Sequence, residues 1–134
     1  MTKLTVVEGI GDIQAQKLID AGVRTAEALL EKGKTPQGRR ELVEKTGVGD
    51  ERILDWVNRV DLFRVKGIGE EYSDLLEIAG VDTVPELAQR NPENLYQTMT
   101  EINAEKKLVR QLPGQGQVRQ WVEQAKKLPR AIEY

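Results

Sequence analysis

With 134 residues, 39% hydrophobic and 31% charged, the chain is long enough for one ordinary domain or two small ones, and its composition is that of a folded protein rather than a disordered one. It has no cysteine and no histidine, which removes disulfides, thiolate metal sites, cysteine nucleophiles, the commonest general base and the commonest zinc ligand. The net charge of -2 hides an uneven distribution: residues 1–60 are neutral, 61–103 carry -6 and 104–134 carry +4, so the middle of the chain repels phosphate and the last quarter attracts it.

Taken in chain order, residues 4–7 predict a short turn or helix. A helix over 13–21 follows, with Ala15, Leu18, Ile19 and Gly22 at i, i+3, i+4 and i+7. Gly22 stands just past its end, where a left-handed residue is often needed. A short helix is expected over 25–31, and Thr35 caps the next one with Pro36 in its first turn. That helix reaches about Lys45 and stops at Thr46-Gly-Val-Gly49. Asp50 is expected to cap a helix carrying Ile53, Leu54, Trp56 and Val57. The second half repeats the plan. A helix over 72–79 ends at Gly80, and Thr83 with Glu86 reads as a capping box with Pro85 in the first turn. Asn91-Pro92 restarts a helix, residues 101–111 form another, and Leu112-Pro-Gly-Gln-Gly116 closes it. The last helix holds Val118, Trp121 and Val122. The reading is all-α throughout.

The plan recurs in the letters as well. Residues 7–29 and 65–87 align without a gap and share ten of 23 residues, mostly glycines and apolar positions. Ile53-x-x-Trp56-Val57 is echoed by Val118-x-x-Trp121-Val122. The hairpins are offset by 58 and the tryptophans by 65, so the second half holds about seven extra residues, most simply around 91–103. The join near 60–64 has no Gly, Pro or Ser, which predicts a continuous helix or tight joint. The expected units are 1–62 and 63–134. No run approaches the ~20 apolar residues of a membrane span, and the first residues lack a signal-peptide pattern; no membrane partner and a cytoplasmic address are expected.

Gly9-Ile-Gly11 with Ala15 and Leu18 resembles the helix–hairpin–helix motif, Gly-h-Gly-x-x-x-Ala-x-x-h with h apolar. Gly67-Ile-Gly69 with Ser73 and Leu76 matches it with Ser in place of Ala, and Gly47-Val-Gly49 is a further hairpin of this kind. The Ala-Gly-Val-x-Thr tails resemble units in the C-terminal domain of bacterial RNA polymerase α subunits and in recombinase N-terminal domains. Over almost its whole length the chain resembles an uncharacterised bacterial domain-of-unknown-function family of tandem helix–hairpin–helix proteins, common in photosynthetic bacteria. The resemblance implies two tandem helix–hairpin–helix (SAM-like) units packed together.

In that motif the first glycine (Gly9, Gly47, Gly67) turns the backbone at positive φ, and the second (Gly11, Gly49, Gly69) opens a helix N-terminus. The free N–H groups and the positive end of the helix dipole make an anion site. In relatives the anion is a DNA phosphate, read without regard to base sequence. Here, however, acids follow the second glycine: Asp12 after Gly11, Asp50 and Glu51 after Gly49, Glu70 and Glu71 after Gly69. They satisfy the dipole internally and repel phosphate. Leu112-Pro-Gly-Gln-Gly116 carries none and is flanked by basic residues, so the expected nucleic-acid-binding residues are Lys106, Lys107, Arg110, Gly114, Gly116 and Arg119.

The function expected is non-catalytic, sequence-independent binding of a DNA or RNA phosphate backbone through hairpin amides and the basic C-terminal segment. The alternative is a protein–protein interaction adaptor whose hairpins are structural turns, its acidic middle and basic end offering complementary surfaces. An enzyme is not expected, since no nucleophile–base pair is recognisable. Neither a cofactor nor a metal is expected: Glu70 and Asp74 lack an Asp-x-Asp-x-Asp-Gly loop, and Gly33-Lys34-Thr35 lacks the earlier glycine of a P-loop, where Ala28 stands. Trp56 and Trp121 occupy equivalent apolar positions and read as core rather than base-stacking platforms.

Overall fold

Apolar residues three and four apart, punctuated by threonine, proline and glycine, cut the chain into short helices. The computed structural model describes residues 2–134. Among them are a 3-10 turn (Leu4–Val6), eight α-helices and no strand. The helices are α1 (Asp12–Asp20), α2 (Ala26–Gly33), α3 (Pro36–Thr46), α4 (Asp50–Leu62), α5 (Glu70–Ile78), α6 (Val84–Gln89), α7 (Pro92–Lys106) and α8 (Gln115–Lys127). The fold is all-α, and no helix of the described residues is long and apolar enough to cross a membrane.

Local chemistry sets most boundaries. The side chains of Thr25, Thr35, Thr83 and Asn91 accept from the amides of Ala28, Gly38, Glu86 and Asn94 at 3.0–3.1 Å, each such cap being worth about 1 kcal/mol. Pro36, Pro85 and Pro92 stand in first turns, where a missing N–H costs no helical bond. α1 and α5 end alike: Val23 and Val81 donate to Leu18 and Leu76 at 2.8 Å, and Gly22 and Gly80 donate to Ile19 and Glu77. These paired bonds around a left-handed glycine satisfy the last carbonyls.

Two elements differ from expectation. Asp50 lies inside α4 rather than capping it, and the first helical bond is accepted by the Gly49 carbonyl from Ile53. The helix expected over 101–111 is instead the end of α7, which stops at Lys106, and residues 107–114 form an irregular loop. A side chain overrides the helical pattern there: Asn103 Oδ1 accepts from Val109 N at 3.0 Å and Asn103 Nδ2 donates to Val109 O at 3.3 Å, replacing the bonds that a continuing helix would supply.

The described chain divides into two compact units. The first ends at Asp61 and takes in Ala131–Tyr134, and the second is Leu62–Arg130. In the first unit Leu18, Leu29, Leu42, Ile53 and Val57 are fully buried. Here α2 and α3 approach so closely at Gly38 that a Cβ would sit 1.8 Å from the Lys32 carbonyl oxygen. The next residue, Arg39, is buried, and its guanidinium donates to Gly33 O at the end of α2 and to Glu133 O. In the second unit one cluster joins Leu75, Leu76, Leu87, Leu95, Met99 and Trp121, among others. Each such side chain contributes about 1.5–3 kcal/mol by leaving water.

The repeated glycines have a second reason to be glycine. Gly9 (φ +91) and Gly67 (φ +95) take left-handed backbone, and the indole Nε1 atoms of Trp56 and Trp121 lie 3.0 and 2.9 Å from where a Cβ would be. A Gly67→Ala substitution is therefore expected to cost about 1–3 kcal/mol, from backbone strain together with displacement of the indole. Gly116→Ala, in helical backbone with nothing within 4 Å of the new methyl, should stabilise by about 0.5–1 kcal/mol. Urea unfolding midpoints of the two variants check the opposite signs.

Candidate functional site

Four helices begin at a glycine without a helical residue before it: α1 at Gly11, α4 at Gly49, α5 at Gly69 and α8 at Gly114. Each exposes backbone N–H groups, and the electrostatics of each is set by the next residues. Asp12 stands in the first turn of α1, Asp50 and Glu51 in that of α4, Glu70 and Glu71 in that of α5. The first turn of α8 has no acid, and Gly114 supplies no side-chain cap. Gly114 O accepts from Gln117 N and Val118 N at 3.0 and 3.1 Å, while the amides of Gln115 and Gly116 have no hydrogen-bond partner among the described residues. Gly114 and Gly116 are exposed, with open space where a Cβ would be. Neither has positive φ, so this entry into a helix does not repeat the turn made at Gly9, Gly47 and Gly67.

The loop leading to α8 is fixed at three points. Lys107 closes α7 in left-handed backbone (φ 51, ψ 47), its amide donating to Asn103 O at 2.9 Å. Val109 is buried and held by the Asn103 side chain, and the Tyr72 hydroxyl donates to Gln111 O at 2.9 Å. Lys106, Lys107 and Arg110 are exposed around these anchors, and none of the three has an ion-pair partner among the described residues. Lys107 and Arg110 thus sit on an ordered loop rather than along a helix face.

Arg119 is placed differently. Its Nη2 lies 2.7 Å from Glu93 Oε1 in the first turn of α7. From Glu93 to Lys106 the helix axis runs about 20 Å, so Arg119 is drawn toward the opposite end of α7 from the lysines. Glu93 is held below its ordinary value, first by its own backbone amide and then by the Arg119 guanidinium.

The loop before α5 is less open than its glycines suggest. Gln124 Oε1 accepts from Lys66 N at 3.0 Å and Gln124 Nε2 reaches Lys66 O at 3.5 Å, while Trp121 covers Gly67. Gln117, Trp121 and Gln124 share one face of α8 by their i, i+4, i+7 spacing. Both tryptophans are buried (Trp56 3%, Trp121 1% exposed), which withholds them from base stacking. Spacing alone had indicated the tryptophans, but nothing in the sequence signalled the glutamines or the Asn103 bridge, because each acts across a gap in the chain.

A family model described as a domain of unknown function, DUF4332, matches residues 8–128. No curated protein and no solved structure matches the chain.

Two outcomes follow from this geometry. Replacing Lys107 by glycine relieves left-handed strain and should stabilise the fold by about 1 kcal/mol, seen as a higher urea midpoint. Because the folded state holds the Glu93 carboxyl below 4.5, its contribution to stability is present above the unfolded value and is lost as the pH falls through the folded one. An NMR titration of the Glu93 carboxyl should show the low value in the intact protein and its return upward in Arg119→Gln.

Proposed function

We propose that this chain, which belongs to the DUF4332 family of domains of unknown function, is a non-enzymatic cytoplasmic protein of two tandem helix–hairpin–helix units that binds nucleic-acid backbone without reading base sequence. The observation that carries the reading is the N-terminus of α8: two backbone amides without partners among the described residues, no acid in the first turn, and the exposed cations Lys106 at the end of α7 and Lys107 and Arg110 on the ordered loop that leads into α8. Amides and dipole bind one phosphate, and the cations neutralise its neighbours along a strand. In this reading the loops before α1, α4 and α5 are turns that position helices, their phosphate sites already neutralised by Asp12, Asp50, Glu51, Glu70 and Glu71.

The protein-adaptor reading is favoured by a different observation. Ile13, in the first turn of α1, is 74% exposed beside Asp12, offering an apolar contact where a phosphate-binding hairpin would offer none.

Fluorescence anisotropy of labelled single- and double-stranded DNA tests the first reading. Binding should be independent of sequence and should weaken steeply between about 50 and 200 mM salt. Reversing Lys106, Lys107 and Arg110 to glutamate should abolish it, and Gly116→Asp, which puts an acid into the first turn of α8, should weaken it about tenfold. Glu93→Gln should strengthen it and steepen the salt slope by about one, since it releases Arg119. Absence of binding at low salt refutes the proposal and turns the search to a protein that covers Ile13.

A further inference from the structure

Residues 128–134 form no helix, yet Ala131–Tyr134 belong to the first unit. They are held there by a seat that reads main chain and side chains together. The Glu133 amide donates to Lys34 O at 2.7 Å, and the Arg39 guanidinium donates to Glu133 O at 2.8 Å. Both backbone groups of residue 133 are therefore engaged, as in a strand beside its neighbour. On either side of it, Ile132 is buried (2% exposed) and the Tyr134 hydroxyl donates to Asn58 Oδ1 at 2.6 Å. Capture of the backbone at one residue, with its neighbours' side chains held separately, is how proteins recognise extended peptides.

The seat has support that does not come from its occupant. Arg39 is fixed by Gly33 O at 2.9 Å and by the close approach of α2 and α3 at Gly38; Asn58 stands within α4. Tyr134 lines one side of a cavity of about 470 Å³ whose other walls include Pro36, Arg40, Val43 and Leu54. Tyr134 thus borders open space, and the segment is secured by the hydrogen bonds of Glu133 and Tyr134 and by the buried Ile132.

We propose that this seat is an exchange site that accepts residues 131–134 of a second copy of this chain in place of its own. The partner follows from the fit. Every copy carries one seat and one matching Ile-Glu-Tyr segment, so reciprocal exchange closes at a dimer. The copy's own segment has the higher effective concentration and fills the seat in dilute solution; exchange gains as protein concentration rises.

Two full-length variants test this. Arg39→Met spoils the seat and keeps the segment, whereas Ile132→Asp spoils the segment and keeps the seat. By light scattering, each alone should be monomeric, their equimolar mixture should contain a one-to-one dimer, and the native chain should show a dimer fraction that grows with concentration. A mixture that stays monomeric up to about 1 mM overturns the proposal, as does a dimer that persists when both chains carry Ile132→Asp. Should Arg39→Met fail to fold, a labelled peptide of residues 128–134, amidated at its end, is titrated into Ile132→Asp. A rise in anisotropy that unlabelled peptide reverses supports the exchange site, and no rise on the folded protein overturns it.

Discussion

The constraint on which each unit depends is a glycine held in left-handed backbone beneath an indole. Gly9 lies under Trp56 of α4, and Gly67 lies under Trp121 of α8. In each case the end of the unit is bolted to its beginning: a late helix supplies the tryptophan, and an early loop supplies the one residue type that leaves room for it. The loop fixes where α1 or α5 starts, and the late helix fixes where the loop lies. Ile10 and Ile68, between the paired glycines, are then turned into the interior (3% and 4% exposed), so backbone shape and core packing are settled by the same few atoms.

Much of this was legible in the sequence because it is local or repeated. Threonine and asparagine caps, prolines in first turns and left-handed glycines after α1 and α5 act within a few residues, so their spacing carries the information. The tryptophans were legible as an echo. What escaped was long-range side-chain chemistry. Asn103 takes over the backbone bonds of Val109 and ends α7 early, although the letters beyond Lys106 still suit a helix. Arg119 belonged by sequence to the basic group, and nothing in the letters signalled its pairing with Glu93. The return of Ala131–Tyr134 to the first unit rests on Lys34, Arg39 and Asn58, residues with no distinguishing pattern in the one-letter string.

The electrostatics of the helix starts divides structure from candidate function. A helix N-terminus attracts negative charge whatever its source, and an aspartate or glutamate in the first turn supplies it permanently from within. Three glycine-led helices have that internal anion. α8 lacks it, and the loop that feeds α8 carries cations instead of acids. One fold element thus serves in two electrical states, and the difference lies in one or two residues after the glycine rather than in backbone geometry.

The return of residues 131–134 also imposes an order in time. A chain made from its N-terminus presents the whole second unit before Ile132 and Tyr134 exist, so Arg39 waits with one carbonyl acceptor rather than two until residues 131–134 emerge. The first unit is begun before the second and completed after it, and its buried cation gains its second acceptor only once Glu133 has been made.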